Sequence, residues 1–131
     1  MAIEMYLKAL SIQENFVSSR FHLGLMYHRI SKFPDALKCF SKVLLKIKDD
    51  KTVYIARGVV YQDMGNHQLA INDFNEAIKF DPDLSEGYYR RGLSNYYSKR
   101  FKEAINDFQL AKDKEDEMLD KDTSIEPNAG I

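Results

Sequence analysis

Residues Lys51–Leu84, KTVYIARGVVYQDMGNHQLAINDFNEAIKFDPDL, decide the fold. The same arrangement of small and aromatic residues recurs on both sides of this stretch at one constant spacing. A fixed period indicates a repeat protein, in which each unit is one supersecondary element and neighbouring units share a continuous core. The recurring positions hold glycine (Gly24, Gly58, Gly92), alanine (Ala36, Ala70, Ala104) and phenylalanine (Phe40, Phe74, Phe108).

These residue types predict two closely packed helices in each repeat. Glycine inside a helix costs about 1 kcal/mol relative to alanine, so its recurrence predicts a neighbour that leaves no room for a side chain. Ala70 and Phe74 are one helical turn apart and therefore share one face of the second helix. The predicted helices are Ala2–Ile12, Phe16–Ile30, Pro34 to about Ile47, Lys51–Met64, His67–Phe80, Glu86–Ser98 with Ser85 as its cap, and a last helix from Arg100 or Phe101.

The central stretch also carries the signature residues of a known family, namely Gly58, Tyr61, Ala70, Phe74 and Pro82. It resembles the tetratricopeptide repeat (TPR), a helix–turn–helix unit with the same period. The resemblance implies an all-α, right-handed solenoid of antiparallel helix pairs, with about seven helices. It divides the chain into the second helix of an incomplete repeat or a capping helix (1–16), three repeats (17–50, 51–84 and 85–118, the last with a lengthened second helix), and an acidic helix end with the start of a possible further repeat (119–131).

Both ends of the chain resemble interrupted repeats. The segment 1–16 matches only the second half of a unit, and the segment 125–129 resembles the turn that joins one repeat to the next. We therefore expect the chain to be a piece of a longer array. The alternative is a natural start at which the first helix caps the solenoid.

The bulk composition is that of one ordinary domain. The chain has 131 residues and a net charge of −1, so its charge does not favour nucleic acid or an anionic membrane as a partner. It holds no apolar run long enough to cross a bilayer and no N-terminal signal peptide pattern. The one cysteine, Cys39, excludes an intrachain disulfide and fits a reducing compartment. We expect a cytoplasmic location.

The sequence offers no pattern that supports catalysis. The three histidines, His22, His28 and His67, form no His-x-x-x-His pair, and Cys-x-x-Cys, phosphate-loop and nucleophile-elbow motifs are absent from the sequence. We predict that the chain is not an enzyme and has neither a cofactor nor a metal site. Cys39 occupies the same position of the repeat, or column, as Asp73 and Asp107, so partial exposure is expected for its thiol.

The family resemblance implies that the first helices line a concave groove where partners bind. An apolar, aromatic-edged groove suits an extended peptide or an amphipathic helix of another protein. The predicted function is therefore a non-catalytic protein–protein interaction scaffold. The candidate groove residues are Phe21, His22, Leu25, His28, Ile55, Val59, Gln62, Tyr89, Arg90, Leu93, Tyr96 and Tyr97.

One class of partner is predicted to be unsuitable. Some TPR domains hold the acidic C-terminal tails of heat-shock chaperones with a clamp of lysine, asparagine and arginine side chains. Among the clamp positions of this chain only Arg90 matches, and an apolar groove solvates a carboxylate poorly. Chaperone tails are accordingly not expected to bind. The clamp positions hold Phe21, Leu25, Ala56, Glu86 and Arg90.

Other functions stay open at this stage. The chain could be an architectural spacer in a large assembly, the regulatory domain of an enzyme, or a protein that self-associates through the exposed solenoid ends. RNA binding is not expected, because Arg91 shares the column of Arg57 and is interpreted as a structural residue.

Overall fold

The computed structural model describes residues 2–5, 7 and 16–125, the last four of them as backbone alone. Residues 2–5 and 7 are helical, and the rest of the predicted N-terminal helix lies outside the described residues, as does the predicted turn beyond residue 125. No strand occurs in the described part of the chain, and the predicted all-α fold is confirmed. The remaining helices are α1 (Val17–Arg29), α2 (Phe33–Lys46), α3 (Lys51–Asp63), α4 (His67–Phe80), α5 (Ser85–Tyr97) and α6 (Phe101–Ile125).

Side-chain caps begin two of these helices. The Asp50 carboxylate accepts hydrogen bonds from backbone N–H groups in the first turn of α3, and the Asn66 side chain does the same for α4. Pro34 lies in the first turn of α2, where its missing N–H costs nothing. The predicted cap of α5 is wrong: Ser85 is already helical and makes no capping bond, because Leu84 is the residue with extended backbone before the helix.

The helices stack as three consecutive pairs. Each helix packs against the next one in the chain, and the first helices of successive pairs, α1 with α3 and α3 with α5, also contact one another. Within residues 16–125 no contact joins the second helices of different pairs. The first helices therefore lie on the inner side of a curved stack, and we call the surface formed by α1, α3 and α5 the inner face.

The recurrent glycines lie where two helices of a pair touch. A Cβ atom added at Gly58 would come within 2.5 Å of the Phe74 ring, and one at Gly24 would come within 2.6 Å of Phe40. Both phenylalanine side chains are fully buried. The predicted close approach is confirmed: the glycine column exists because the phenylalanine column fills its space.

Buried ion pairs join the two helices of the second and third pairs. The Arg57 guanidinium donates to both carboxylate oxygens of Asp73, at 2.9 and 2.7 Å, and Arg91 binds Asp107 in the same way. Arg57 also reaches the Ser41 hydroxyl on the preceding second helix, at 3.2 Å. These arginines are therefore structural residues that link each helix pair internally and to its neighbour.

The first pair replaces this ion pair by two apolar residues. Leu23 stands at the arginine position and Cys39 at the aspartate position, and both are buried. The expected partial exposure of Cys39 is therefore wrong, because the aspartate position is itself buried: Asp73 and Asp107 are only 4% and 3% exposed. Burial raises the pKa of the Cys39 thiol above its ordinary value.

The turn inside each pair needs a residue with left-handed backbone. Ser31, Gly65 and Lys99 occupy this position in the three repeats, with φ of 62°, 81° and 65°. Only glycine adopts this conformation without a steric penalty, which for other residues is roughly 1–2 kcal/mol. The first and third turns therefore carry local strain that the second turn lacks.

We expect Lys99→Gly and Ser31→Gly each to raise the free energy of unfolding by up to about 1 kcal/mol, since the relief of strain exceeds the added entropy of the unfolded chain. Gly65→Ala should lower it by a similar amount, although a Cβ there would touch nothing within 4 Å. Urea denaturation measures all three values. As a control, Lys42→Gly in the middle of α2 should be destabilising; a loss of stability at Lys99→Gly would contradict the strain argument.

Candidate partner-binding surface

The aliphatic residues of the predicted groove lie mainly in the core. Ile55 is only 8% exposed and belongs to the cluster around Phe74, against which Val59 also packs. Phe21 and Leu25 pack against the core of the first pair, with the Phe21 ring centroid 5.6 Å from that of Phe40. These side chains shape the inner face, but they offer a ligand little accessible surface.

The accessible part of the predicted groove is aromatic and lies on the third pair. Tyr89, Tyr96 and Tyr97 are 47%, 50% and 62% exposed. The Tyr96 ring lies 5.3 Å from Tyr97 and 5.7 Å from Phe101, both edge to face. Leu93 is half-buried and lines, together with Tyr89, a groove of about 620 Å³. The structure therefore brings several apolar and aromatic side chains together at one end of the inner face.

A polar network holds α3 and α5 together beside these rings. The Gln62 side-chain amide donates to the backbone carbonyl of Arg90 at 2.9 Å and to the Ser94 hydroxyl at 2.7 Å. His67 Nδ1 lies 3.2 Å from the same hydroxyl, and the His67 ring stacks on Tyr97 at 5.6 Å. Gln62 thus fixes the relative position of two helices. His67 also contributes to this surface, although it is not among the predicted groove residues.

The two predicted groove histidines also have partners within the chain. His28 Nε2 lies 2.6 Å from a carboxylate oxygen of Asp63, so that this contact ties α1 to α3. His22 is exposed, and its Nδ1 lies 2.7 Å from the backbone oxygen of Ser18 one turn earlier. Both imidazoles are therefore held by contacts within the chain.

Arg90 carries an unused hydrogen-bond donor. Its side chain is 33% exposed, but Nε is excluded from solvent and donates to no acceptor among the described residues. The carboxylate of Glu86 lies 3.6 Å from this nitrogen, an ion-pair contact that is too long for a good hydrogen bond. A buried N–H without an acceptor is costly, but an atom closed to water is closed to a ligand as well, so a ligand oxygen would meet only the exposed third of this side chain.

The described residues contain no group of three or more histidine, cysteine, aspartate or glutamate side chains placed to hold a metal ion. In the same part of the chain, the helices lack the combination of length and apolar character that crossing a membrane requires.

Comparison with known proteins agrees with the geometry. A family model for the tetratricopeptide repeat matches residues 52–84. A relative from Triticum aestivum, the Hsp70-Hsp90 organizing protein, is 27% identical over 78 residues, which are 60% of this chain and 13% of that protein. The crystal structure of MamA protein superposes with a TM-score of 0.82 at 21% identity, covering 98% of this chain and 66% of that one. The first TPR of Spaghetti (RPAP3), bound to the HSP90 peptide SRMEEVD, gives a TM-score of 0.73 at 20% identity over 76% of this chain and 79% of that one.

The exclusion of chaperone tails made from the sequence is wrong. A solenoid with the same fold holds an HSP90 peptide, and a relative is named for Hsp70 and Hsp90. The exclusion assumed that the apolar groove residues form the ligand surface, but Phe21 and Leu25 pack against the core. The accessible inner face carries the Arg90 side chain, which is 33% exposed, so an acidic ligand would not meet apolar surface alone.

The likeness concerns one region of larger proteins, since the chain spans only 13–15% of the length of the first curated relatives that it matches. The columns of the repeat, the paired helices and the matched solenoids all indicate the same architecture. The chain belongs to the tetratricopeptide repeat family.

Proposed function

We propose that the chain is a non-catalytic protein-interaction module that binds an extended peptide of a partner across α3 and α5 on the inner face. The observation that carries this proposal is the Arg90 side chain, which is 33% exposed beside exposed aromatic rings and has its ion-pair partner Glu86 as far away as 3.6 Å. A carboxylate from a ligand would bind the accessible part of this guanidinium with a charge-assisted hydrogen bond.

The neighbouring side chains indicate what such a peptide would contain. Leu93 lies one helical turn after Arg90, and Tyr89 lies one turn before Leu93, so the three border one side of α5. Tyrosine rings bury a large area at a low cost in side-chain entropy. The ligand should therefore present a carboxylate close to an apolar side chain.

The surface is already ordered without a ligand. The Gln62 amide holds the Arg90 backbone carbonyl and the Ser94 hydroxyl, which fixes α5 against α3. A binding surface that needs no rearrangement loses less free energy to ordering when the ligand arrives. Substitution of Gln62 should accordingly weaken binding without removing a ligand contact.

The peptide SRMEEVD is a suitable probe for this chemistry. It places acidic residues beside methionine and valine, and it occupies the TPR domain of Spaghetti, whose fold this chain shares. Fluorescence anisotropy of the labelled peptide, titrated with the chain, would measure the affinity. We expect saturable binding that Arg90→Ala weakens by about tenfold or more, the size typical for loss of a hydrogen bond to a charged group.

The controls separate the site from the fold. Lys79→Ala removes a cation from α4, where the side chain is 71% exposed and its ammonium lies 3.9 Å from Glu76, and should leave the affinity unchanged. Leu93→Glu should weaken binding by placing a carboxylate beside those of the peptide. Circular dichroism checks that each variant keeps its helix content. The proposal fails if the peptide does not bind saturably, or if Arg90→Ala and Leu93→Glu both bind it as well as the wild type.

A further inference from the structure

A groove runs along the outer side of the stack, between the first and second helix pairs. Helices α2 and α4 do not contact each other, and α3 forms the floor between them. A pocket of about 410 Å³ lies on the α2 side of this groove. Both bordering pairs are described in full, so the accessibility of the pocket does not depend on where the chain begins or ends. We call it the outer pocket, and its lining includes Lys38, Ser41, Lys42, Leu45, Tyr54 and Arg57.

Two lysines of the outer pocket are available to an anion. Lys38 and Lys42 are exposed and one helical turn apart on α2, and neither has a carboxylate within ion-pair distance among the described residues. Helix α2 holds three lysines against the single acid Asp35, a net charge of +2. The second repeat has Asn72 and Glu76 in the columns of these two lysines. The basic character of this pocket is therefore a property of the first pair and not of the repeat.

The Ser41 hydroxyl adds a directed donor beside the lysines. It accepts a hydrogen bond from Arg57 Nη1 at 3.2 Å, and its own proton has no acceptor in the described part of the chain. The other donors of Arg57 bind Asp73, so the guanidinium orients Ser41 without binding a ligand itself. An anion in the outer pocket would meet this hydroxyl together with the two ammonium groups.

The carboxylates on the opposite side of the groove already have partners. Asp73 on α4 is held by Arg57. Glu76, which follows Asp73 by about one helical turn and acts on the Tyr54 phenol at the floor of the groove, lies 3.9 Å from the ammonium of Lys79. Each carboxylate therefore has a cation beside it, which weakens its repulsion of an anion bound on the α2 side.

An exposed leucine lies beside these donors. Leu45 is 73% exposed, and the same column holds the charged residues Lys79 and Asp113 in the other two repeats. Packing within the chain does not explain an apolar residue at a position that stays open to solvent. The Tyr54 ring, which also lines the outer pocket, stacks on Phe80 at 6.0 Å. The pocket thus combines cations and a hydroxyl with apolar surface that a partner would cover.

We infer that the outer pocket binds an extended acidic segment of a partner protein, with its carboxylates on Lys38 and Lys42 and an apolar side chain against Leu45. Alternate side chains of an extended chain point the same way and are roughly 7 Å apart. Residues one helical turn apart are separated by about 6 Å, so such a segment matches the spacing of the two lysines. Its next side chain on the same side would reach Leu45, which lies one turn beyond Lys42 on α2.

Other anionic partners fit this site less well. Nucleic acid is held through many phosphate contacts, and the outer pocket offers two unpaired lysines. A membrane surface would need a flat basic patch, whereas these lysines border a pocket between helices. The pocket lies on the side of α3 opposite to the inner face, so the inference does not rest on the proposed peptide binding at Arg90.

Fluorescence anisotropy of the labelled peptide LSESESL tests the inference, because this sequence alternates as required and reads the same in both directions. We expect saturable binding that weakens as the salt concentration rises. Lys42→Glu should weaken it about tenfold or more, since a carboxylate then faces the carboxylates of the peptide. Lys102→Glu is the matched control: it makes the same change in net charge at an exposed position of α6 and should leave the affinity unchanged.

Two further variants test the apolar contact and the charge pairing. Leu45→Ser should weaken binding of LSESESL by about threefold or more, through the loss of apolar contact area. The double variant Lys38→Glu/Lys42→Glu should bind the peptide LSKSKSL more tightly than the wild type does. All three positions are exposed, so circular dichroism should show unchanged helix content.

Arg90→Ala separates this test from the proposed function, since it should bind LSESESL as the wild type does. The inference is overturned if the wild type does not bind LSESESL saturably, or if Lys42→Glu and Lys102→Glu weaken binding equally. It is overturned as well if Arg90→Ala removes the binding, or if the lysines serve to bind phosphatidylserine vesicles and not the peptide.

Discussion

Arg57→Leu is expected to lower the free energy of unfolding by about 3–5 kcal/mol, the usual result of removing one partner of a buried ion pair. The Asp73 side chain is only 5% exposed, and its carboxylate takes two hydrogen bonds from Arg57. Burial raises the pKa of Asp73 above its ordinary value, and the arginine opposes that shift. Without the guanidinium, the carboxylate either stays charged in a dry environment or takes up a proton.

The first helix pair supplies the compensating change. Leu23 and Cys39 occupy the same two columns there, and both are buried in a well-packed pair. The double variant Arg57→Leu/Asp73→Cys should therefore recover most of the loss and come within about 1 kcal/mol of the wild type. Urea denaturation of the wild type, both single variants and the double variant gives the coupling energy. Simple addition of the two single losses would refute this account of the pair.

The pH dependence of the single variant provides a second check. In Arg57→Leu the pKa of Asp73 should rise further in the folded state, because desolvation is no longer opposed. If the folded-state pKa lies above the unfolded value of about 3.9, the folded state binds more protons at pH values between the two. The free energy of unfolding that Arg57→Leu loses relative to the wild type should therefore become smaller as the pH falls towards about 3.9. The control Lys79→Leu, which removes an exposed ion pair with Glu76, should cost at most about 0.5 kcal/mol at any of these pH values.

The sequence predicts the helix pairs well because the same pairs of contacting residues recur in all three repeats. A glycine and a phenylalanine that recur together in three units imply a contact between them, and the structure places the ring against the glycine each time. The ion pairs were harder to foresee. Arg57 and Asp73 are in different helices, and only the angle between the helices shows that they meet.

A signal for these pairs is nevertheless present in the chain itself. Where the arginine column changes to Leu23, the aspartate column changes to Cys39 in the same repeat. A further departure involves one position alone: Asn95 replaces the tyrosine found at Tyr27 and Tyr61, and its amide donates to the Asp107 carboxylate at 2.8 Å, although the second repeat has the same aspartate. Concerted changes between repeats thus identify contacts even without an alignment of related proteins.

The candidate surface is less predictable because exposure depends on what lies beside each pair. Ile55 and Tyr89 share a column, but the first is covered by the next helix pair and the second is not. The position within the repeat predicts the same orientation for both residues. It does not predict whether a neighbouring helix covers them, and this decides their exposure. The unsatisfied Arg90 Nε is likewise invisible in the sequence, since it depends on a distance of 3.6 Å to Glu86.

Phe74→Ala is expected to lower the free energy of unfolding by about 3–5 kcal/mol, because it removes a fully buried ring and leaves a cavity. The more informative result is its effect on Gly58. In the wild type, Gly58→Ala should be destabilising by roughly 1–3 kcal/mol, since the new Cβ would lie 2.5 Å from a ring that has no room to move. In the Phe74→Ala background the clash is gone, and the same substitution should stabilise the chain by about 1 kcal/mol through helix propensity.

This reversal of sign distinguishes steric exclusion from a general intolerance of α3 to substitution. Gly24→Ala serves as the matched control, because its obstacle is the Phe40 ring, which Phe74→Ala leaves in place. Gly24→Ala should therefore be destabilising in both backgrounds. Phe74→Leu provides a milder background if the alanine variant is too unstable for a full denaturation curve. If Gly58→Ala remained equally destabilising after the ring is removed, the contact between these two columns would not be the reason for the glycine.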